Sequence, residues 1–207
     1  MVTSARNLKQ LVYLVSPDKI YSDFYKDLEK VLSSKKVAFF QLRLKRKPEK
    51  LIIKIAKKIK KITKKYKVKL IINDSSKLAK KIGADGCHIG QLDNTVISAR
   101  KDIKKKIIGV TCHNSKELAL KASKDEVDYL AFGSFFKSKL KPNAKKADLK
   151  IINWAKKNIK KPIVVIGGIT DKNYKKLVKA GANYIAISTF IWNNPFLKPE
   201  VAIKKFI

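Results

Sequence analysis

Eight short apolar segments recur along this chain, and their regular spacing restricts the fold more than any other feature. The ends of successive segments lie about 25 residues apart on average. The stretches between them have the apolar period of amphipathic helices; Leu51, Ile55, Ile59 and Ile62, for example, mark one face while lysines occupy the others. The eight predicted strands are Leu11–Ser16, Val37–Arg43, Val68–Asp74, Gly86–Gly90, Ile107–Thr111, Asp128–Gly133, Pro162–Gly168 and Tyr184–Thr189.

Alternation of these strands with helices predicts a closed barrel. The strand segments are nearly continuous in Val, Ile, Leu and Phe, which is typical of parallel strands covered by helices. Eight such units predict a (β/α)8 TIM barrel in the α/β class, with residues 1–207 forming a single domain. An open doubly wound sheet is the alternative. Two junctions share a pattern, LAKKIGADGCHI at 78–89 and LVKAGANYIAI at 177–187, in which a glycine ends a Lys-rich helix shortly before a strand.

The formal net charge of +33 suggests nucleic acid as a partner, but the kind of basic residue argues against it. Of the 49 basic residues 45 are lysine, and only Arg6, Arg43, Arg46 and Arg100 are arginine, the residue that base readout favours. The lysines are spread over every predicted helix, as expected of solvated helix faces. We therefore expect no specific nucleic-acid partner, although the charge would attract anionic substrates.

The sequence also favours a cytoplasmic location. The longest nearly unbroken apolar run, Tyr184–Trp192, is far too short to span a membrane, and the N-terminal apolar patch is too short for a secretory signal. Cys87 and Cys112 fall inside predicted strands without a CxxC motif or a Cys/His cluster, so we expect buried thiols.

Polar side chains and glycines follow nearly every predicted strand. Ligands of parallel α/β folds collect where the strands end, so these residues predict a single site at one mouth of the barrel. Gln41, Arg43 and Lys45 share one strand face by alternation, and an amide beside two cations suits a polyphosphate. The remaining strand ends supply Asn73 and Asp74, Gln91 and Asp93, Thr111 and His113, Gly133 and Ser134, Gly167 and Gly168, and Ser188 and Thr189.

Asp74 and Asp93 follow adjacent strands, and two carboxylates without nearby histidines suit a hard cation such as Mg²⁺. Each could equally be the N-cap of the helix that follows it. Asp85 and Asp128 lie at strand starts, at the opposite end of the barrel, so we assign them turn or stability roles. Gly167 and Gly168 with Ser188 and Thr189 match the phosphate site that many barrels build from their last two loops, although a glycine pair also forms tight turns.

The histidines have less specific interpretations. His88 lies within a short strand and is expected to be a packed, hydrogen-bonded residue of the interior. His113 lies at the functional end, but CHNSKE also has the pattern of a helix start, with Asn114 or Ser115 as the cap and Glu117 in the first turn. No Ser/His/Asp or Cys/His arrangement is evident in the sequence.

Five segments together resemble thiamine-phosphate synthase, a family of the thiamine monophosphate synthase and tautomerase superfamily. They are QLRLK, IINDSSKLAKKIGADGCHIGQLD, IIGVTCHN, DYLAFGSFF with a following Lys, and PIVVIGGIT, in an order and spacing that cover about 11–192. The resemblance implies a transferase that joins hydroxymethylpyrimidine diphosphate to hydroxyethylthiazole phosphate. The products are thiamine phosphate and pyrophosphate, the cofactor is Mg²⁺, and a homo-oligomer is left open.

The resemblance also implies residue roles. Gln41, Arg43 and Lys45 would hold the pyrimidine diphosphate, Asn73 the pyrimidine ring, and Asp74 and Asp93 the Mg²⁺. Thr111 stands where the family usually has Ser, and Ser138 stands for the first of two threonines before Lys141, which would contact the diphosphate. The thiazole phosphate would bind at Gly168, Ser188 and Thr189. Arg43, Lys45 and Lys141 would act on the leaving group, so they are the expected catalytic residues.

The chain departs from the family pattern at three further positions. Leu140 replaces the second threonine and cannot donate a hydrogen bond to phosphate. Ser134 replaces a usual Pro, and Ser75 a usual Arg. Two other functions stay open: a thiazole tautomerase that uses His113, and a non-catalytic barrel that binds anions or RNA through its lysines. Retention of both Asp74 and Asp93 favours the synthase.

Overall fold

A computed structural model of the chain describes residues 11–137 and 146–206. The strands are β1 Val12–Val15, β2 Val37–Leu42, β3 Lys69–Asn73, β4 Gly86–Ile89, β5 Ile107–His113, β6 Tyr129–Gly133, β7 Ile163–Ile166 and β8 Tyr184–Ile187. Every strand pairs in parallel with the next along the chain, and β8 pairs with β1. The closed barrel confirms the predicted (β/α)8 fold and excludes the open doubly wound sheet.

Helices connect the strands and cover the outside of the barrel. They are α1 Phe24–Leu32, α2 Glu49–Lys65, α3 Ser76–Ile82, α4 Val96–Ile103, α5 Lys116–Lys124, α6 Leu149–Asn158, α7 Tyr174–Ala180, α8 Thr189–Trp192 and α9 Pro199–Ala202, followed by a 3-10 turn at Ile203–Lys205. In α2 the predicted apolar stripe packs inward at Ile55 and Ile59, which are buried, and partly at Ile62, whereas Leu51 in the first turn is exposed. Seven of the eight lysines of α2 are exposed, as expected of a solvated helix face.

The barrel has two apolar cores, because successive side chains of a strand point to opposite faces. The larger core lies between the strands and the helices. The smaller one fills the barrel interior, and its buried members are Tyr13, Val15, Phe39, Ile71, Tyr129, Ala131, Val164 and Ala186. Three of these eight are aromatic and three are branched aliphatic, so rings share the interior below the site with the side chains common in such barrels.

A repeated hydrogen bond joins neighbouring units at the end where the strands start. The carboxylate of Asp85 accepts from the backbone N–H of Leu70 at 2.8 Å, and the carboxylate of Asp128 accepts from Ile108 at 2.9 Å. Asn183 repeats the contact with its side-chain oxygen, which accepts from the N–H of Ile163 at 2.9 Å. Each residue therefore ties the start of its strand to the preceding strand, as the stability role predicted for Asp85 and Asp128 requires.

Both cysteines are free and buried, as predicted, and burial raises the pKa of each thiol to about 12. They are therefore neutral packing residues at physiological pH. Among the residues described, none of the helices combines the length and the apolar character that crossing a bilayer demands.

Candidate active site

The second strand brings an amide and two cations to the mouth of the barrel. Gln41 is only 4% exposed, whereas Arg43 is half-buried and Lys45 lies in solvent. Leu42 and Leu44 between them pack into the outer core, so the predicted alternation continues past the last residue of β2. The three polar side chains therefore rise in order from the interior to the rim.

Arg43 is held in place by contacts that the sequence did not indicate. The Ser16 hydroxyl accepts from its backbone N–H at 3.0 Å and donates to its carbonyl at 3.3 Å. Its guanidinium lies 3.2 Å from a carboxylate oxygen of Asp18, in the loop after β1. Backbone and side chain are thus both oriented by the first β/α loop.

Asp74 and Asp93 come together at the rim, as predicted. Their carboxyl groups interact, and the pKa of Asp74 is raised, first by burial and then by the negative charge of Asp93. Lys45, whose ammonium is 3.8 Å from Asp74, opposes the shift, and Arg43 does so more weakly. Two acidic groups and two cations therefore share one electrostatic site.

Neither aspartate is a helix N-cap. Ser75 caps α3 by accepting from the N–H of Leu78, and Thr95 caps α4 by accepting from Ser98. Asp74 lies in the left-handed region with φ of 66°, and Asp93 accepts from the N–H of Gly90 at 2.6 Å. The capping alternative is therefore wrong for both residues, and their carboxylates remain directed to the site.

Asn73 and Thr111 reach the same mouth from β3 and β5. Asn73 is half-buried at the end of β3, in register with His88 of β4. The Thr111 hydroxyl lies 2.7 Å from Nε2 of His88, and Gln91 donates to the Thr111 carbonyl. His88 is hydrogen-bonded within the interior, as predicted from its position in a short strand.

The loops after β7 and β8 lie side by side and contain the predicted phosphate-binding residues. Gly168 has φ of 59°, and a Cβ there would lie 2.4 Å from the carbonyl of Lys137, so only glycine fits the turn. Asn173 stabilises the turn by donating to the Gly168 carbonyl at 3.0 Å. The Ser188 hydroxyl donates to the Ser16 carbonyl at 3.0 Å, so this side chain joins the loop after β8 to the loop after β1.

Two predicted site residues, Ser138 and Lys141, lie outside the described residues, as does Leu140. The loop is described only up to Lys137. Ser134 follows a cis peptide bond from Gly133, and its carbonyl accepts from Ala147 at 2.7 Å.

His113 ends β5 as an exposed residue with φ of 52°, and Ser115 caps α5 by accepting from Leu118. The CHNSKE segment is thus the helix start that its pattern indicated, with Glu117 in the first turn. Among the residues that the structure describes, no carboxylate is hydrogen-bonded to His113 in the way that usually fixes a histidine base.

Among the described residues of the site, Asp74 and Asp93 are the carboxylates that interact with each other, and Asp18 is paired with Arg43. Within the described ranges no group of three or more His, Cys, Asp or Glu side chains is arranged to hold a metal ion. Residues that sequence reasoning missed are Ser16 and Asp18, which orient Arg43, and Tyr13 and Tyr129 beneath His88. The sequence signal that could have indicated Ser16 and Asp18 is that a hydroxyl and a carboxylate closely follow the first strand.

The chain is similar to known proteins over nearly its whole length. The family model described as thiamine monophosphate synthase matches residues 12–191. The thiamine-phosphate synthase of Pelagibacter ubique (strain HTCC1062) is 56% identical, with 95% of this chain and 96% of the relative covered. That of Rhodospirillum centenum (strain ATCC 51521 / SW) is 36% identical, with 94% and 95% covered.

A solved structure agrees with these relatives. The thiamine phosphate pyrophosphorylase of Pyrococcus furiosus superposes with a TM-score of 0.86 at 25% identity, covering 97% of this chain and 95% of that one. Sequence and fold thus lead to the same conclusion: this chain is a member of the thiamine monophosphate synthase family.

Proposed function

We propose that the chain joins hydroxymethylpyrimidine diphosphate to hydroxyethylthiazole phosphate, forming thiamine phosphate and releasing pyrophosphate. Family membership makes it an enzyme of the transferase class. The observation that carries the choice of substrates is the pairing of Asp74 and Asp93 next to Arg43 and Lys45. A carboxylate pair beside two cations suits a diphosphate that arrives with a divalent ion.

The diphosphate would bind along β2. Arg43 presents a planar fork that matches two phosphate oxygens, and the flexible Lys45 adds a second cation at the rim. Gln41, buried below them, is able to hydrogen-bond an atom of the same substrate closer to the barrel axis. Asn73 and Thr111, on neighbouring strands, would contact the pyrimidine end.

The proposed reaction needs charge stabilisation rather than a strong base. The bond between the pyrimidine methylene carbon and the bridging diphosphate oxygen breaks, and its electron pair leaves with the diphosphate. The thiazole nitrogen then donates its lone pair to the resulting pyrimidine-stabilised carbocation. Arg43 and Lys45 stabilise the growing charge on the leaving group, and neither step transfers a proton that a base would have to accept. This agrees with a site whose described residues include cations but no oriented base.

Asp74 and Asp93 are proposed to hold Mg²⁺. Their oxygen donors are the kind that Mg²⁺ prefers, and one or two carboxylates plus substrate phosphates are its usual protein ligands. Burial and, after it, repulsion by Asp93 raise the pKa of Asp74, and a shared divalent cation would relieve the repulsion. When bound, Mg²⁺ would neutralise charge on the departing diphosphate. The thiazole phosphate would bind at the adjoining loops through Gly168, Ser188 and Thr189.

The proposal is tested by incubating the purified chain with both phosphorylated substrates and measuring thiamine phosphate and pyrophosphate. We expect product with Mg²⁺ and none after chelation. Isomerisation of the thiazole that survives chelation and fails in His113→Ala would instead establish the tautomerase. Tight RNA binding with a steep salt dependence, together with no product, would establish the non-catalytic barrel.

Arg43→Lys is expected to reduce kcat/KM by about 10²-fold although the charge is retained, because lysine cannot reproduce the bidentate fork. Steady-state kinetics with the pyrimidine diphosphate as the varied substrate measures the effect. Arg46→Lys is the matched control, since Arg46 is exposed three residues further on. Equal kinetics for the two variants would contradict a forked contact at Arg43.

A further inference from the structure

A chain of hydrogen bonds crosses the barrel interior and ends at the proposed substrate site. The hydroxyls of Tyr13 and Tyr129 lie 2.8 Å apart. The Tyr129 hydroxyl lies 2.9 Å from Nδ1 of His88, and Nε2 of His88 lies 2.7 Å from the Thr111 hydroxyl. Four side chains from β1, β6, β4 and β5 therefore form one continuous path from the packed interior to the mouth.

The path is held in place by close packing. Tyr13 and Tyr129 are 2% and 1% exposed, and the rings of Tyr129 and His88 stack at 5.7 Å with an interplanar angle of 14°. Gly109 makes room for Tyr129, since a Cβ at position 109 would lie 1.9 Å from its ring. The tyrosine hydroxyls therefore have little freedom to find other partners.

The number of protons available on the side chains determines which group donates in each hydrogen bond of the path. Each phenol has one proton, and within the described part of the chain the Tyr13 hydroxyl has one hydrogen-bond partner, Tyr129. If Tyr129 donated to Tyr13, the proton of Tyr13 would be buried without an acceptor, which is costly. Tyr13 is therefore the donor, and the single proton of Tyr129 is left for Nδ1 of His88.

This order determines the tautomer of His88. With Nδ1 accepting from Tyr129, the ring proton resides on Nε2 and is donated to the oxygen of Thr111. A doubly protonated imidazole fails the same count, because Tyr129 would then accept two protons and bury its own without an acceptor. The Thr111 hydroxyl, already an acceptor, has no acceptor for its own proton among the described residues, so that proton is available to a ligand at the mouth of the barrel.

We propose that Tyr13, Tyr129 and His88 are positioning residues that turn Thr111 into an obligatory hydrogen-bond donor toward an anionic oxygen of the diphosphate substrate. This inference rests on the proposed function for the identity of the substrate. It assigns a role to the hydroxyl at position 111 that either Thr or Ser could fill. It also explains why a polar path is buried among the aromatic rings of the barrel interior.

The tautomer is tested first, without any substrate. The chain has two histidines, so ¹⁵N-histidine NMR with His113→Asn as the assignment variant isolates the signals of His88. We expect the Nε2–H tautomer in the otherwise unaltered protein and a mixture of tautomers in Tyr129→Phe, which leaves Nδ1 of His88 without its donor. Tyr184→Phe, the same change at another tyrosine that packs against the inner core, is expected to leave the tautomer unchanged. An Nδ1–H tautomer at His88 would overturn the inference.

The functional coupling is tested by a double-variant cycle. Tyr129→Phe is expected to lower kcat/KM about tenfold, with less than a twofold further effect once Thr111→Val has removed the hydroxyl. Thr111→Ser should restore most of the activity lost in Thr111→Val. Equal losses from Tyr129→Phe in both backgrounds would show a general structural role and refute the coupling. His88→Phe replaces Tyr129→Phe in the cycle if the latter does not fold, because it removes the donor to Thr111 directly.

Binding of inorganic pyrophosphate with Mg²⁺, measured by calorimetry, separates this inference from the proposed function. We expect weaker binding in Thr111→Val than in Thr111→Ser. If the chain forms no thiamine phosphate but retains this difference and the Nε2–H tautomer, the proposed reaction is wrong and the positioning path stands. Turnover together with equal pyrophosphate binding by the two variants would leave the reaction intact and reject the path.

Discussion

Asp93→Asn is expected to lower kcat by about 10³-fold and at the same time raise the thermal stability of the metal-free protein. Activity is lost because Asp93 is one of the two carboxylates proposed to hold Mg²⁺. A bound divalent cation stabilises a transition state by roughly several kcal/mol. The gain in stability follows from Asp74. Its pKa is raised by burial and by the charge of Asp93, so its ionised form is disfavoured in the folded protein.

The pH dependence has a definite sign. A carboxyl group whose pKa is higher in the folded than in the unfolded state does not reduce the free energy of unfolding below its unfolded-state pKa. The reduction develops as the pH rises from the unfolded-state pKa to the folded-state pKa. The metal-free parent protein should therefore lose more stability than Asp93→Asn between acidic and neutral pH. Adding Mg²⁺ should raise the melting temperature of the parent but not of the variant.

Thermal melts with and without Mg²⁺, together with kinetics, measure both effects. Asp125→Asn is the matched control, because Asp125 follows α5 at the opposite end of the barrel. A melting temperature of Asp93→Asn below that of the parent in the absence of metal would contradict the electrostatic account of the pair.

Gly109→Ala is expected to destabilise the fold by about 3 kcal/mol, the upper part of the range for overpacked cores. The added Cβ would lie 1.9 Å from Cζ of Tyr129 and 2.3 Å from its hydroxyl oxygen. The ring is unable to swing aside without breaking its contacts with Tyr13 and His88. Denaturant unfolding monitored by circular dichroism measures the loss.

A second substitution identifies the cause of that loss. In Gly109→Ala combined with Tyr129→Ala the clash is removed, so the double variant should lose less stability than the sum of the two single variants. Additive losses would mean that the contact between residue 109 and the tyrosine ring is not what limits substitution there.

The fold was predictable because its signal is periodic and local. Each strand is a short apolar run, and its last residues are polar, so both the barrel and the location of Asp74 and Asp93 at one rim follow from alternation and spacing. The predicted bounds differ from the observed ones mainly at strand ends. β3, for example, ends at Asn73 rather than Asp74, because Asp74 turns into the left-handed region.

The contacts inside and across the rim were not predictable, because they depend on barrel geometry. Tyr13 and Tyr129 are 116 residues apart in the sequence. Nothing in their local sequence shows that the strand register of the closed barrel brings their hydroxyls together. The same holds for Asp18 and Arg43, whose ion pair depends on how the first loop folds over the second strand. Sequence alone also left the capping roles of Asp74 and Asp93 open, since Ser75 and Thr95 beside them are equally good caps.

The hydrogen bonds from Asp85, Asp128 and Asn183 to the preceding strands have a consequence for how this chain can change. They fix strand alignment at the floor of the barrel, remote from every side chain proposed to touch a ligand. Substitutions along the rim can therefore alter which ligands bind without disturbing the pairing of the strands. Ligand specificity can then change in this chain while the fold is retained.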